Sequence, residues 1–477
     1  MPLTHIDCFA GPGGICTGLH AAGFETKVAI EYIKSCVETY SYNHPEVHVI
    51  HSDIRKVTAE QILPYIPSDG VDLVTSGMPC ETFSTAGNSS RAAYDDRQFL
   101  FREGIRIAKI ANAKMILFEN VPMITTKRVA KDSKKLIIEV LKKELVDAGY
   151  NNFKEFVLDA TKYGVPQRRR RFFILAAKDS NLKIEAPKEI CSSEVTVREA
   201  FIDIPEVVAN TKTENPYYLD KESDYSKLMK DDNFWKRQTR EHRLLNHLPM
   251  NHRKYIIERF QILQQGEGLK GLFARLSPEE LAEYQSRKVI PKTIYVKRNY
   301  RLRWEEASPT VTSHCLDEFV HPEQNRALTV RECARLQSFP DSYDFVGGPY
   351  LVAHDDRTQQ DKYEQIGDAV PPLLAYAWGI QIKNKSGITV KGVPTTSGTN
   401  ADITVFEGTV DMDYRGELGI MFKNEEDFEI TIPKHTKLAQ GVLRRVYNCT
   451  FVEVDEVNDT VRGEGGFGST GTTINTK

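Results

Sequence analysis

The stretch DCFAGPGGICTGL, residues 7–19, decides the fold class. A short apolar run leads into it, glycines stand at 11, 13 and 14, and a helix-forming run follows. Glycine at such positions lets the backbone turn tightly and approach a ligand where a Cβ would collide. A glycine-rich turn alone is weak evidence, because many turns share its composition. Spacing strengthens it: Glu31 closes the next strand-like run about 20 residues on, where an acid meets ribose hydroxyls in nucleotide sites. The Lys-Ser/Thr pair of a phosphate-cradling loop is missing, which favours an adenosyl ligand without a phosphate chain over ATP.

Outward from this loop, apolar β-type runs at 28–30, 71–75, 115–118 and 171–177 alternate with helical patterns. One predicted helix has Ser133 as its cap, Ile137, Ile138, Leu141, Leu145 and Ala148 on one face, and Gly149 as its stop. Strands separated by helices of this length predict an α/β fold with a mostly parallel, doubly wound sheet. Distinctive turns adjoin these runs. Gly77-Met78-Pro79-Cys80 follows VDLVTS. A lone cysteine is most often a small buried hydrophobe. This one sits at a strand's carboxyl end, where open α/β sheets place their ligands and where a helix start can lower a thiol's pKa. Glu119-Asn120-Val121-Pro122 follows MILF in the same way, so Cys80 and Glu119 converge if their strands are neighbours. The run YGVPQRRRR (163–171) leads into FFILAA; its arginines suit a solvated patch or a phosphate grip, and period-2 alternation puts Arg169 and Arg171 on one face.

A chain of 477 residues exceeds what one core usually organises, so two or three domains are expected. Hydrophobic residues at 40% and charged residues at 27% describe an ordinary globular protein. Neither a membrane-length apolar run nor a leader pattern occurs, and the 8 cysteines include no CxxC pair. The expectation is a cytoplasmic protein with no metal and no membrane partner. The net charge of −3 counts against a nucleic-acid partner until it is divided. Residues 400–477 hold 14 acidic and 8 basic side chains, a balance of −6, which leaves +3 on residues 1–399. Within that part, 285–303 carries seven Arg or Lys and no acid, and 226–260 carries nine basic against four acidic residues. Solvated faces are the commoner meaning of any one such run. Together they allow a polyanion as partner.

The ordered set FAGPGG, GMPCETFS, ENV, QRRRR, RALTVRECARLQSFPD and QIGDAVPP resembles that of the DNA (cytosine-5) methyltransferases across residues 4–380. The resemblance implies a Rossmann-like catalytic domain at 1–185 and 350–383 with a target-recognition region at 186–349. It implies S-adenosyl-L-methionine as cofactor, held by Phe9, Ala10, Gly11, Gly13, Gly14, Glu31, Asp53, Ile54, Pro79, Asp368, Ala369 and Val370. Cys80 is then the nucleophile, Glu119 the group at cytosine N3, and Arg171 a contact to O2 supported by Arg169. Ser84, Asn120 and Gln167 lie toward the target base and DNA, with Gln167 at a position that organises the same corner as Arg169 and Arg171. Double-stranded DNA is the partner, with a cognate restriction endonuclease in function or a phage anti-restriction role. An RNA cytosine methyltransferase shares this core, but the recognition region and RALTVRECARLQSFP pattern resemble the DNA enzymes. This sequence reads PCE and GDA where the family more often has PCQ and GNA or GNS, so Glu81 and Asp368 are departures.

Beyond the turn-rich 384–400, a second resemblance appears. EGTVDMDYRGELGIMF, KLAQGV and RGEGGFGSTG are similar to late motifs of trimeric dUTPases, which makes 386–477 an all-β module. Asp411 would activate water, Tyr414 would pack on deoxyribose, and Arg462 and Phe467 would belong to the closing arm. The early Asp-bearing motif has no copy, and Lys385-Ser386-Gly387 is a trace of the phosphate motif. The expectation is an incomplete module that binds nucleotide or oligomerises rather than hydrolysing dUTP.

Overall fold

A computed structural model describes residues 2–78, 96–130, 133–191, 193–211, 217–237, 244–293, 298–351, 359–385, 403–405 and 422–424. Contacts divide the chain into two compact units, Met1–Lys385 and Ser386–Lys477. The larger is built on a seven-stranded sheet of β1 (Leu3–Cys8), β2 (Phe24–Glu31), β3 (His48–His51), β4 (Leu73–Gly77), β5 (Met115–Asn120), β6 (Asn152–Asp159) and β7 (Arg170–Ala177). The order is β3-β2-β1-β4-β5-β7-β6. β3 to β5 run parallel, and β7 enters antiparallel to both β5 and β6. Interleaved helices are α1 (Gly14–Ala22), α2 (Lys34–Asn43), α3 (Phe101–Ile110) and α4 (Ile137–Asp147).

Alternation along each strand feeds two cores. In β5, Met115 and Leu117 join the cluster under α1, while Ile116 and Phe118 join the cluster under α3 and α4. This is the doubly wound arrangement that continuous Val/Ile/Leu runs predict, since both sheet faces must be covered. The start of α4 corrects one expectation. Ser133 does not cap the helix; its hydroxyl accepts from Lys135 N at 3.1 Å, and Glu139 satisfies Leu136 N at 2.9 Å. Gly149 lies just beyond the helix end with φ +87°, as expected of a stop.

The rest of the unit comprises α5 (Val197–Phe201), α6 (Asp224–Lys230), α7 (Asp232–Trp235), α8 (Lys254–Ile262), α9 (Leu269–Arg275), α10 (Pro278–Ser286), the pair β8 (Tyr300–Arg301) and β9 (Phe319–Val320), α11 (Cys315–Glu318), α12 (Val330–Leu336), α13 (Lys362–Asp368) and α14 (Pro372–Lys385). Phe260, Leu263, Leu269, Leu272, Val289 and Ile290 close a small core of their own with Val320. Trp235 and His247 are buried. In the second unit, β10 (Ile403–Val405) pairs antiparallel with β11 (Phe422–Asn424). Among the described residues no helix is long and apolar enough to cross a membrane, and no cluster of metal-ligating side chains occurs.

Arginines knit α12 into this body. Arg331 donates to the carbonyls of Leu245, Pro340 and Tyr343. Arg335 is fully buried, forks onto Asp341 at 2.5 Å from Nε and Nη2, and reaches Asp203 at 3.1 and 3.2 Å. Removing one partner of such a network strands the buried charges that remain. Arg335→Ala should therefore cost about 3–5 kcal/mol, measured as a lowered thermal transition. An unchanged transition would contradict the account.

Candidate active site

β4 and β5 are parallel neighbours, with Gly77 in register with Glu119. The condition for convergence at the sheet's carboxyl edge is met as far as Met78. Pro79, Cys80 and Ser84 lie outside the described residues, as do Asp411, Tyr414, Arg462 and Phe467. Asn120, buried at the end of β5, donates its side-chain amide toward Met78 O at 3.4 Å and accepts from Val121 N at 2.8 Å. The amide thus links the end of β5 to the segment that leads to Cys80.

Glu119 stands at the centre of this edge. A Cβ placed on Gly77 would lie 3.7 Å from Glu119 Oε2, 3.7 Å from Ile15 Cδ1 and 4.0 Å from Phe9 O, so the glycine-rich loop adjoins the carboxylate. A small, mainly apolar cavity lined by Ile15, Leu117, Glu119, Phe173 and Val370 lies alongside. Arg171 Nε meets Glu119 Oε1 at 3.0 Å. Burial pushes the Glu119 carboxyl above the ordinary range, and the charges of Arg171 and Arg169 only partly oppose this. The result is an acid with an increased protonated fraction beside a fixed cation.

Arg169 and Gln167 serve a different purpose from Arg171. Arg169 is 1% exposed and donates to Val311 O at 2.6 Å, Gly367 O at 2.9 Å and Ala369 O at 3.1 Å. Gln167 is fully buried: its amide donates to Leu336 O at 2.9 Å and Gln337 Oε1 at 2.5 Å, and its carbonyl accepts from Val311 N at 2.8 Å. Its polar atoms are committed to the protein, so it holds this corner together rather than facing a target base. Gln337 completes the hub by donating to Ile366 O and Ala369 O at 2.9 and 2.6 Å. Nothing in the sequence singles out Gln337 within its motif.

The loop itself is shaped by backbone conformation. Gly11 and Gly13 have φ of +53° and +97°, and Phe9, at +58°, holds a conformation costly for a side-chain-bearing residue. Ala10 N and Gly13 N bond Ile30 O and Ala10 O at 3.1 and 3.0 Å. Gly14 is backed by Val370: a Cβ there would lie 2.3 Å from Val370 O and 3.3 Å from the Ala369 Cβ. Glu31, buried at the end of β2, accepts from Gly11 N at 2.8 Å, Tyr32 N at 2.7 Å and Ile33 N at 2.6 Å. Burial raises its pKa, and those three amides pull it partly back. Asp53 caps a 3-10 turn and pairs with Arg55 at 2.5 Å, which holds its carboxyl low, while Ile54 is buried. Asp368, exposed at the end of α13, accepts from Gln360 Nε2 at 2.8 Å.

Against known proteins, residues 3–384 match the family described as C-5 cytosine-specific DNA methylase. The chain belongs to this family. Residues 381–471 match the dUTPase family. The Type II methyltransferase M.DdeI of Desulfomicrobium norvegicum is 32% identical over 401 residues, covering 81% of this chain and 92% of that protein. M1.HphI of Haemophilus parahaemolyticus is 32% identical over 378 residues, covering 79% and 86%. A crystal structure of a protein described as a DNA modification methyltransferase encoded within a prophage (E. coli) superposes with a TM-score of 0.60 at 24% identity, over 80% of this chain and 99% of that one. It shares the fold. The methylase is thus an enzyme of the restriction-modification type, with a dUTPase-family segment behind it.

Because Val370 O is backbone, it cannot swing away from a new methyl group. Gly14→Ala should displace the turn at 369–370, lower the thermal transition and weaken adenosyl-ligand binding more than tenfold, as measured by calorimetric titration. Full-strength binding by the variant would contradict this packing.

Proposed function

We propose that this methylase transfers a methyl group from S-adenosyl-L-methionine to C5 of a cytosine turned out of duplex DNA, within a specific sequence. The observation that carries the reading is the single edge on which the glycine-rich loop, the β4 end that leads to Cys80, and the Glu119–Arg171 pair adjoin. The residues suit the cofactor: the loop has no Cβ at its tightest approaches, and the Glu31 carboxylate is aimed by three backbone amides. When bound, S-adenosyl-L-methionine supplies an electrophilic methyl group on a sulfonium. Loop residues 9–14 and Glu31 would hold it, with Asp53, Ile54, Pro79 and 368–370 at its rim.

Cytosine C5 is a poor nucleophile, so the protein must activate it. A Cys80 thiolate adding to C6 opens the aromatic system and makes C5 an enamine carbon. Glu119 holds the proton that N3 needs, and Arg171 donates to O2 and keeps the Glu119 carboxyl in place. Loss of the C5 proton and of the thiolate then restores the ring. A stacked base cannot be reached, so the cytosine must leave the duplex, at a cost of a few kcal/mol. Basic side chains of 226–260 and 285–303 that are not committed within the protein, as Arg259 and Arg301 are, would take the phosphates.

Treating random duplex DNA with the protein and S-adenosyl-L-methionine, then sequencing at base resolution, should place 5-methylcytosine in one short context. Cys80→Ser should leave no methylcytosine while DNA binding persists. Glu119→Gln should slow the reaction by about 10²–10⁴-fold. In the parent enzyme the Glu119 contribution should fade as pH rises past its elevated pKa, and that fall should be missing in the Gln variant. Full turnover by C80S would refute the nucleophile.

We also propose that the tail is a dUTPase-like appendage that binds nucleotide or oligomerises without hydrolysing dUTP, because the early Asp-bearing motif is missing. The full chain mixed with dUTP and magnesium should release no pyrophosphate, and rapid release would reverse this reading.

A further inference from the structure

A line of buried side chains crosses the central strands beneath the cofactor loop. Thr75 Oγ1 donates to Asp7 Oδ1 at 2.8 Å, which uses its only proton. His5 Nε2, 2.8 Å from the same hydroxyl, must then be the donor to it. Burial lowers the His5 pKa to about 3, so the ring is neutral and carries one N–H. Its Nδ1 therefore accepts from the Thr26 hydroxyl at 2.9 Å, and Thr26 in turn accepts from the Cys16 thiol at 3.3 Å. These proton positions follow from the bonding pattern. Every donor points the same way, from Cys16 through β2, β1 and β4, and the line ends on one oxygen of Asp7. The other, Oδ2, is buried and has no hydrogen-bond partner among the described residues.

Asp7 is not isolated electrically. It pairs in register with Ala29, and Glu31 lies two residues further along β2, so the two carboxyls project from the same sheet face. They repel each other. Their other neighbours are Cys8, Cys16 and Tyr40, which are neutral. Among the described residues no basic side chain pairs with Asp7. Arg55 is engaged by Asp53, and His51 lies on the Glu31 side, against Tyr32 O at 3.1 Å. Arg106, across the sheet, is held by Glu103 and by the carbonyls of Val57 and Ile54. Asp368 and Glu364 add negative charge on the side of Cys36.

We infer that Asp7 and Glu31 select the charge of the cofactor, holding the cationic methyl donor more tightly than the neutral thioether left after transfer. The inference rests on the cofactor reading above. It gives the unmatched Asp7 oxygen a purpose: a positive ligand nearby is the partner the fold withholds from it. Such a preference would favour exchange of spent for fresh cofactor.

Burial first, and Glu31 second, push the Asp7 carboxyl up to about 7, against the Thr75 hydroxyl. Asp7 is charged above that pH and neutral below it. The preference for the donor must therefore be present on the alkaline side and fade as pH falls through about 7.

The test is calorimetric titration of the full chain with S-adenosylmethionine and S-adenosylhomocysteine at pH 6 and pH 8. The ratio of the two dissociation constants should move toward the donor at pH 8 by roughly five- to tenfold, as expected for one charge at short range in a partly screened site. Asp7→Asn should abolish that movement, while the ligand's own amine titrates alike in both proteins. Thr75→Val, which removes the hydroxyl holding Asp7 down, should shift the midpoint to higher pH. A ratio independent of pH in the parent protein, or a parent-like pH dependence in D7N, overturns the inference. Failure of both ligands to bind at either pH would overturn the cofactor reading itself.

Discussion

The guanidinium of Arg169 is the contact on which the site depends. It sits just before β7 and gathers three backbone carbonyls, Val311, Gly367 and Ala369, from two distant parts of the chain. Burying a cation costs several kcal/mol unless its donors are matched. Here the matching groups are carbonyls that end a helix or cross a loop, where regular backbone pairing stops. Each side therefore offsets the other's desolvation. The turn at 367–370, so held, backs Gly14 through Val370 O. One fork thus sets β7 and the glycine-rich loop relative to each other.

The same solution recurs nearby. Gln167 and Gln337 form an amide pair that reaches Leu336, Val311, Ile366 and Ala369. Arg301 reaches the carbonyls of Leu263, His321 and Gln324 and the side chain of Asn325. Ser338 accepts a left-handed φ of +64°, and its hydroxyl caps Leu373 N at the start of α14. Loops without regular pairing still need partners for their backbone groups, and long polar side chains supply them. A fully satisfied network of this kind also resists sliding in a way that apolar packing does not.

These facts explain what could be read from the sequence. β4, β5 and β7 are legible because they are buried on both faces and so carry continuous apolar runs. β3 and β6 are not, because they are the edges: HVIH and NFKEFVLD are partly exposed and mix polar with apolar residues. The turns carrying Gly11–Gly14, Glu31 and Glu119 are legible because strand ends with unusual chemistry stand out against apolar runs. The order of the strands, which makes Gly77 face Glu119, is a long-range property that no local pattern encodes. Of the two parts the resemblance gives Gln167, its hydrogen bonds support the one that organises the corner, and the run itself could not choose: a glutamine among arginines has the same appearance whether it faces DNA or lies in the core. The polar line through His5 and Asp7 left one visible sign, a charged residue in the strand LTHIDC.

Glu332, fully buried, and Glu119, largely buried, show how the same pairing with arginine can end differently. Burial opposes the charge of both Glu119 and Glu332. Glu332 meets Arg326 through two parallel bonds of 2.7 Å, and that fork overrides burial and holds its carboxyl at about 2. Glu119 meets Arg171 through Nε at 3.0 Å, while another Arg171 nitrogen turns to Arg170 O. Burial wins there, and the carboxyl stays above its ordinary range. Two bonds to a carboxylate give a structural ion pair; fewer leave a group able to hold and release a proton. An arginine near an acid is therefore no guide to its role. The number and geometry of the bonds between them are a better one: they fix Glu332 in the frame and leave the Glu119 carboxyl raised and only singly held.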